Sequence, residues 1–328
     1  MTEQVSWQER LSRLANGYRG SIILLTAVKQ GLFEALGHEQ RTAAEVADDL
    51  DLDARAVDIL LCALAALGLV RKDGEVFATE PEVRPLLLKD SPDSQVDILG
   101  HNLHLIPRWL GLDHVLRHGE PIARGERTPE QLRDFICGME NISRRSSVDV
   151  AEKIDLSAAR RLLDLGGGPG TSSLTFARFN PDLHCVVFDL PGPLEIAREQ
   201  ITAAGLEDRV TTRSGDFLVD DLGTGYDTVY ISSIIHMLGP DRTLQLLRRA
   251  RAVLEPGGRL LLKDMFLEDS RTEPVAAAIF SVNMLAGTQA GKSYTRTEVL
   301  RLLESAGFGG FEVVDVARES QVIVGRAV

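Results

Sequence analysis

The sequence has 328 residues, of which 44% are apolar and 26% charged, enough apolar material for buried cores that need no disulfide or metal staples. Against 48 acidic residues stand 36 basic ones, a net charge of −12, which sets the chain against broad contact with nucleic-acid phosphates or an anionic membrane surface, because basic residues supply most of that affinity. Cys62, Cys137 and Cys185 are odd in number and lack disulfide or metal-ligand spacing; with no secretory signal, and with the apolar run over residues 22–25 far too short to span a bilayer, the expected place is the cytoplasm.

Leu11, Leu14, Tyr18, Ile22, Leu25 and Phe33 recur at helical spacing, which predicts helices over about residues 10–37. Thr42-Ala-Ala-Glu45 is a capping box that opens a short helix. After Asp53, the residues Val57, Leu60, Leu61, Leu64 and Leu67 predict a second helix, which Gly68 stops. Leu69-Val70-Arg71 and Val76-Phe77-Ala78 flank Asp73-Gly74, a hairpin signal. Helix, helix and two-stranded wing is the winged-helix arrangement. Such domains often bind DNA, but six acids and one arginine stand in residues 45–58. The helix over residues 54–67 is also apolar on most of its surface, which predicts burial rather than a place in a groove. A dimer-forming role is expected instead. Residues 97–153 read as connecting helices that carry Trp109, Phe135 and Met139.

From Arg160 onward, strand–loop–helix alternation sets in. Leu162-Leu163-Asp164, residues 184–188, residues 226–231 and residues 259–262 are short apolar runs, separated by helical stretches at 192–204 and 241–254. This predicts an α/β fold with a doubly wound parallel sheet. Pro256-Gly257-Gly258 reads as a turn into a strand, Thr295-Arg-Thr-Glu298 as a second capping box, and the tail as an antiparallel hairpin over 311–315 and 321–326.

Between the first strand of this half and its helix runs Leu162-Leu-Asp-Leu-Gly-Gly-Gly-Pro-Gly-Thr171. Glycines there let a ligand approach the backbone, and helix N–H groups point at it. A dinucleotide site wants Gly-x-Gly-x-x-Gly; here Thr171 stands where the third glycine belongs, which sets a nicotinamide dehydrogenase aside. Asp164 would repel a pyrophosphate and could engage the ammonium of a methionine moiety. Asp189, at the end of the next strand, is placed to accept hydrogen bonds from ribose hydroxyls.

With these residues the sequence resembles the class I S-adenosylmethionine-dependent methyltransferases. Asp-Leu-Gly-Gly-Gly-Pro-Gly resembles their first motif, Asp189-Leu190-Pro191 their second, Ser214-Gly215-Asp216-Phe217 the segment along adenine, and Leu254-Glu-Pro-Gly-Gly258 the turn before the fifth strand. The whole chain resembles the small-molecule O-methyltransferases of the caffeate and acetylserotonin kind, in a bacterial form. The resemblance implies a winged-helix dimerisation domain over residues 1–100, connecting helices that contribute to the substrate pocket over 101–155, and a Rossmann-like catalytic domain over 156–328. It implies a homodimer, a small-molecule acceptor, S-adenosylmethionine as methyl donor with S-adenosylhomocysteine as product, and no metal. It places the cofactor at Asp164, Gly166, Gly168, Asp189, Leu190, Asp216, Phe217 and Ser232.

Tyr230-Ile-Ser-Ser-Ile-Ile-His236 ends as the family's fourth strand ends, in a histidine that acts as general base. Position agrees with chemistry. Ligands sit beyond the carboxyl ends of parallel strands, and an imidazole accepts a proton near neutral pH. Asp264, the acidic position after the fifth strand, is the implied orienting partner. Phe280-Ser-Val-Asn-Met-Leu-Ala286 resembles the acetylserotonin-type substrate segment, with Asn283 as its hydrogen-bonding group. Trp109, Phe135, Met139, Phe280, Met284 and Tyr294 are the expected apolar lining.

The chain departs from the family in two places. Met237-Leu238-Gly239-Pro240-Asp241 replaces Asp-Trp-x-Asp after the histidine, and Ser293 stands where plant members carry glutamate. Two other readings accompany the O-methyltransferase. One is a C-, N- or S-methylating or non-methylating enzyme of the same fold, whose non-phenolic versions need no base. The other is a non-enzymatic winged-helix sensor of the cofactor, which needs a basic first domain.

Overall fold

A computed structural model describes residues 5–122, 128–317 and 319–328. Its contacts divide the chain into two units, Met1–Leu105 and Ile106–Val328.

The first unit contains helices α1 (Trp7–Asn16), α2 (Tyr18–Lys29), α3 (Leu32–Leu36), α4 (Ala43–Leu50), α5 (Ala54–Ala66) and α6 (Arg84–Leu87), with strands β1 (Arg41–Thr42), β2 (Val70–Asp73) and β3 (Val76–Thr79). The strands pair antiparallel in the order β1-β3-β2. The expected capping box forms at α4: the Glu45 N–H donates to Thr42 Oγ1, and the Thr42 N–H donates to Glu45 Oε2. Asp53 caps α5 through the Ala56 N–H at 2.8 Å. The hairpin is shifted by one residue from its expected centre. Asp73 pairs with Val76, so Gly74 and Glu75 make the turn and Gly74 takes the left-handed bend, at φ +56°.

Val57, Leu61 and Leu64 of α5 join a core with Phe33, Val46 and Phe77. The helix is not buried all round, as its composition predicts: Ile59 and Leu67 are 55% and 49% exposed. A domain this small covers only one face of α5. Helix α1 buries no residue at all, and its Trp7, Leu11 and Leu14 face outward.

Helix α7 (Val96–Trp109) leads into the second unit, which continues with α8 (Leu112–His118) and α9 (Pro129–Lys153). Five parallel strands follow: β4 (Arg161–Leu165), β5 (His184–Asp189), β6 (Val210–Ser214), β7 (Tyr226–Ser232) and β8 (Leu254–Asp264). Between and after them come α10 (Thr171–Phe179), α11 (Pro191–Ala204), α12 (Pro240–Val253), α13 (Val275–Gly287) and α14 (Arg296–Ser305). The expected terminal hairpin forms as β9 (Phe308–Val316) and β10 (Ser320–Ala327), and β10 runs antiparallel to both β9 and β8. The sheet order is β6-β5-β4-β7-β8-β10-β9, a Rossmann-like doubly wound sheet.

The strands are continuous apolar runs because both faces are covered. Leu162, Val187, Tyr230 and Leu261 pack with α9, α10 and α11, while Leu163, Val229, Leu260 and Leu262 pack with α12 and α14. Strand β6 escapes the sequence pattern because Val-Thr-Thr-Arg-Ser lies at the sheet edge and buries only Val210. Pro256-Gly257-Gly258 is not a turn before a strand. It is an irregularity within β8, where Gly257 adopts φ +77° and the register with β7 shifts. No helix among the described residues is long and apolar enough to cross a membrane.

Candidate active site

The carboxyl ends of β4, β5, β6, β7 and β8 gather the expected site residues along one edge of the sheet. After β4 the chain makes three left-handed glycine steps, Gly166, Gly168 and Gly170, before α10 begins. Gly166 is forced by contact as well as by angle: a Cβ there would stand 2.3 Å from Ile234 Cδ1. Around the Cβ position of Gly168 there is open space, so this stretch of backbone is accessible to a ligand. The Gly166 N–H donates to Phe188 O at 2.8 Å. Asp189 holds the loop from the neighbouring strand, its Oδ2 accepting from the Gly168 N–H at 2.8 Å and its Oδ1 from the Leu190 N–H at 2.7 Å. Burial raises the Asp189 carboxyl above its ordinary value, against the pull of those two N–H groups.

Asp164 is placed differently from the expectation. It lies beneath the loop, 1% exposed, and its Oδ2 accepts from Ser173 Oγ at 2.8 Å. A Cβ on Gly167 would meet its carboxyl carbon at 2.7 Å. The carboxyl thus supports the loop from inside. Burial pushes its pKa up to about 7, with the Ser173 hydroxyl pulling the other way. The folded protein therefore holds a proton that the unfolded chain, titrating near 3.9, gives up. Stability is lost as pH rises from about 4 through 7, by up to about 4 kcal/mol, and is flat above. Asp164→Asn has no such proton to lose. Urea unfolding between pH 5 and 8 should show a wild-type decline that the variant lacks, and parallel curves would contradict this.

Asp216 and Phe217 follow β6. The Gly215 N–H donates to Asp189 O at 3.0 Å, which brings this segment beside Leu190. Asp216 Oδ1 accepts from the Leu218 N–H at 2.8 Å, and the half-buried Phe217 packs on the core. Leu190 is exposed. Ser232 ends β7, with its Oγ 3.5 Å from Lys263 Nζ. Open glycine backbone, the Asp189 carboxylate beside it and the apolar Leu190 and Phe217 form a cradle that fits an adenosyl-sulfur cofactor.

Beyond Ser232 the chain makes one 3₁₀ turn, Ile235–Met237, that carries His236. Its Nδ1 lies 2.9 and 3.0 Å from the two carboxylate oxygens of the buried Asp264, at the end of the adjacent strand. The Met265 N–H also donates to Asp264 Oδ1. A carboxylate only accepts, so Nδ1 is the protonated nitrogen, and in the neutral imidazole Nε2 then carries the lone pair. Phe280 meets the imidazole edge-on, with ring centroids 4.8 Å apart. One turn along α13 stand Asn283 and Met284. Asn283 Oδ1 is buried without a hydrogen-bond partner among the described residues, which is costly unless a ligand supplies the donor. Helix α13 packs against both the histidine turn and α8.

The remaining expected lining residues fare unevenly. Trp109 ends α7, and Phe135 and Met139 lie one turn apart on α9, all half-buried. Tyr294 is a core residue rather than a lining one. It is 2% exposed, and its hydroxyl donates to Leu238 O at 2.7 Å. Ser293, in the family's glutamate position, is also committed: its Oγ donates to Ala277 O and its N–H to Ser281 Oγ. Ser173 and Thr288 are site-supporting residues that the sequence reading passed over. Gly291 was the available signal, for a Cβ there would stand 2.4 Å from His236 O. No group of three or more potential metal ligands occurs among the described residues.

Residues 116–309, more than half of the chain, match the O-methyltransferase domain family, and residues 12–84 match the O-methyltransferase dimerisation domain. The chain is 33% identical to the 3-hydroxy-5-methyl-1-naphthoate 3-O-methyltransferase of Streptomyces sahachiroi, over 90% of this chain and 88% of that one. It is 28% identical to the L-tyrosine C(3)-methyltransferase of Streptomyces lavendulae, over 87% and 82%. The solved structure of PigF with SAH superposes at a TM-score of 0.91, with 25% identity over 98% of this chain and 100% of that one. The chain belongs to the S-adenosylmethionine-dependent O-methyltransferase family and carries that family's dimerisation domain in its first unit.

Proposed function

We propose that the protein methylates a phenolic or enolic hydroxyl of a small aromatic molecule, with His236 as the base. The observation that carries this reading is the Nδ1 hydrogen bond to Asp264, which leaves Nε2 as the acceptor at the strand ends. S-adenosylmethionine, when bound, supplies a methyl group on a sulfonium and leaves as S-adenosylhomocysteine. Asp189 and the 166–170 loop hold it, with Asp216, Phe217, Leu190 and Ser232 along its length. His236 Nε2 takes the hydroxyl proton as the oxygen–methyl bond forms and the sulfur–methyl bond breaks, and Asp264 stabilises the resulting imidazolium. Phe280 and Met284 supply an apolar wall, and the orphaned Asn283 Oδ1 accepts from a second donor on the acceptor molecule. Trp109, Phe135 and Met139 belong to the same pocket in this reading.

A second reading has one observation behind it, the similarity to a tyrosine C(3)-methyltransferase. A phenolate is nucleophilic at oxygen and at the ortho carbon, so the same base could serve either outcome. Methyl-labelled cofactor tested against hydroxylated mono- and bicyclic aromatics, naphthoates included, separates them by the position of the label. Label on oxygen supports the reading, and label on carbon replaces it.

A homodimer is part of the proposal. The matched dimerisation domain and the outward apolar residues of α1 support it. Leu11→Glu with Leu14→Glu should shift sedimentation from dimer toward monomer, and an unchanged dimer would place the contact elsewhere. The acidic run over 45–58 speaks against nucleic acid as a partner, and three cysteines outside any disulfide suit the cytoplasm.

A further inference from the structure

Tyr294 is bonded to both chain segments that hold the proposed catalytic pair: its buried hydroxyl to the one that follows His236, and its backbone carbonyl to the one that follows Asp264. We infer that Tyr294 is a positioning residue, a clamp that fixes the His236–Asp264 pair, and this inference rests on the proposed role of that pair.

The side chain grips one partner. Tyr294 Oη donates to Leu238 O, two residues past His236, and lies 3.1 Å from Thr243 Oγ1 at the start of α12. Leu238 in turn donates its N–H to Ile235 O and closes the 3₁₀ turn that carries the imidazole. The backbone grips the other partner. Leu267, three residues past Asp264, donates its N–H to Tyr294 O at 2.9 Å, and Leu267 bridges to Thr295. One residue therefore ties down both loops whose separation sets the Nδ1–carboxylate contact.

The surrounding segment is built to hold it there. The absent side chain of Gly291 lets the backbone abut His236 O, and the Gly291 N–H donates to Thr288 Oγ1, which donates to Met284 O. Lys292 Nζ sits over the Tyr294 ring at 4.9 Å and bonds Glu298 at 2.8 Å. Phe280, on the helix reached through Thr288, faces the same imidazole. The clamp thus joins base, orienting carboxylate and substrate helix.

The test compares Tyr294→Phe, Thr243→Val, Asp264→Asn and the double variant Tyr294→Phe/Asp264→Asn, using the best acceptor from the aromatic panel. Tyr294→Phe should lower kcat about tenfold, with KM for the acceptor and affinity for S-adenosylhomocysteine within about twofold of wild type. Thr243→Val keeps the Leu238 bond and should stay near wild type. Adding Tyr294→Phe to Asp264→Asn should cost little more, because the clamp acts through the carboxylate. The downfield imidazole N–H resonance of His236 should be lost in Asp264→Asn and move upfield in Tyr294→Phe. Full additivity, an unmoved resonance, or equal damage from Thr243→Val would overturn the clamp. An Asp264→Asn enzyme with unchanged kcat would overturn the His–Asp reading itself, whatever the resonance shows.

Discussion

His236→Ala should lower kcat by about 10²–10⁴-fold, the usual worth of a positioned general base, while S-adenosylhomocysteine affinity stays within about threefold. The two effects separate because the cofactor cradle is built from other strand ends. His236 touches Asp264 and Phe280, whereas the loop 166–170 is held by Asp189 and Asp164. A neutral phenol is a weak nucleophile, and the substitution removes the proposed base for its proton. The fall should shrink at high pH, where the phenol ionises unaided. Steady-state kinetics of the variant beside calorimetric titration give both numbers. Activity that survives the substitution would point to an acceptor that needs no base, as in N- or S-methylation. Equal loss of turnover and affinity would make the residue structural.

For Asp189→Ala the order reverses. The carboxylate accepts from the Gly168 and Leu190 N–H groups, and in the proposed complex it also accepts from ribose hydroxyls. Hydrogen bonds to a charged group are each worth about 1.5–3 kcal/mol, so affinity for S-adenosylhomocysteine should fall by roughly 10–100-fold. At saturating cofactor kcat should change only a few-fold. Because the loop loses its tether, Asp189→Asn is the companion: it keeps an acceptor for one N–H and should lose less. Unchanged affinity in the alanine variant would remove Asp189 from the cofactor site.

The glycine loop, Asp189 and His236 were legible because each is tied to a strand end by short sequence spacing, and the sheet delivers those ends to one edge. The winged helix was legible from caps at Thr42 and Asp53 and from a glycine turn. What stayed hidden depends on distance along the chain. Phe280 meets His236, 44 positions earlier in the chain, a contact that no periodicity encodes. Tyr294 read as pocket lining because an aromatic near a substrate segment looks the same in sequence whether its hydroxyl faces a ligand or a backbone carbonyl. Asp164 read as a ligand group because its depth beneath the loop is set by Ser173, on the far side of the glycines. Strand β6 was missed because an edge strand buries little and its threonines carry no alternation.

Calorimetric or thermal-shift titration of the wild-type protein with S-adenosylhomocysteine, S-adenosylmethionine and NAD⁺ side by side tests the central claim most directly. A ligand that binds only the folded state adds about 2.7 kcal/mol of stability at a hundredfold excess over its dissociation constant. The account predicts clear stabilisation by both adenosyl-sulfur ligands and none by NAD⁺. No response to either sulfur ligand would contradict it.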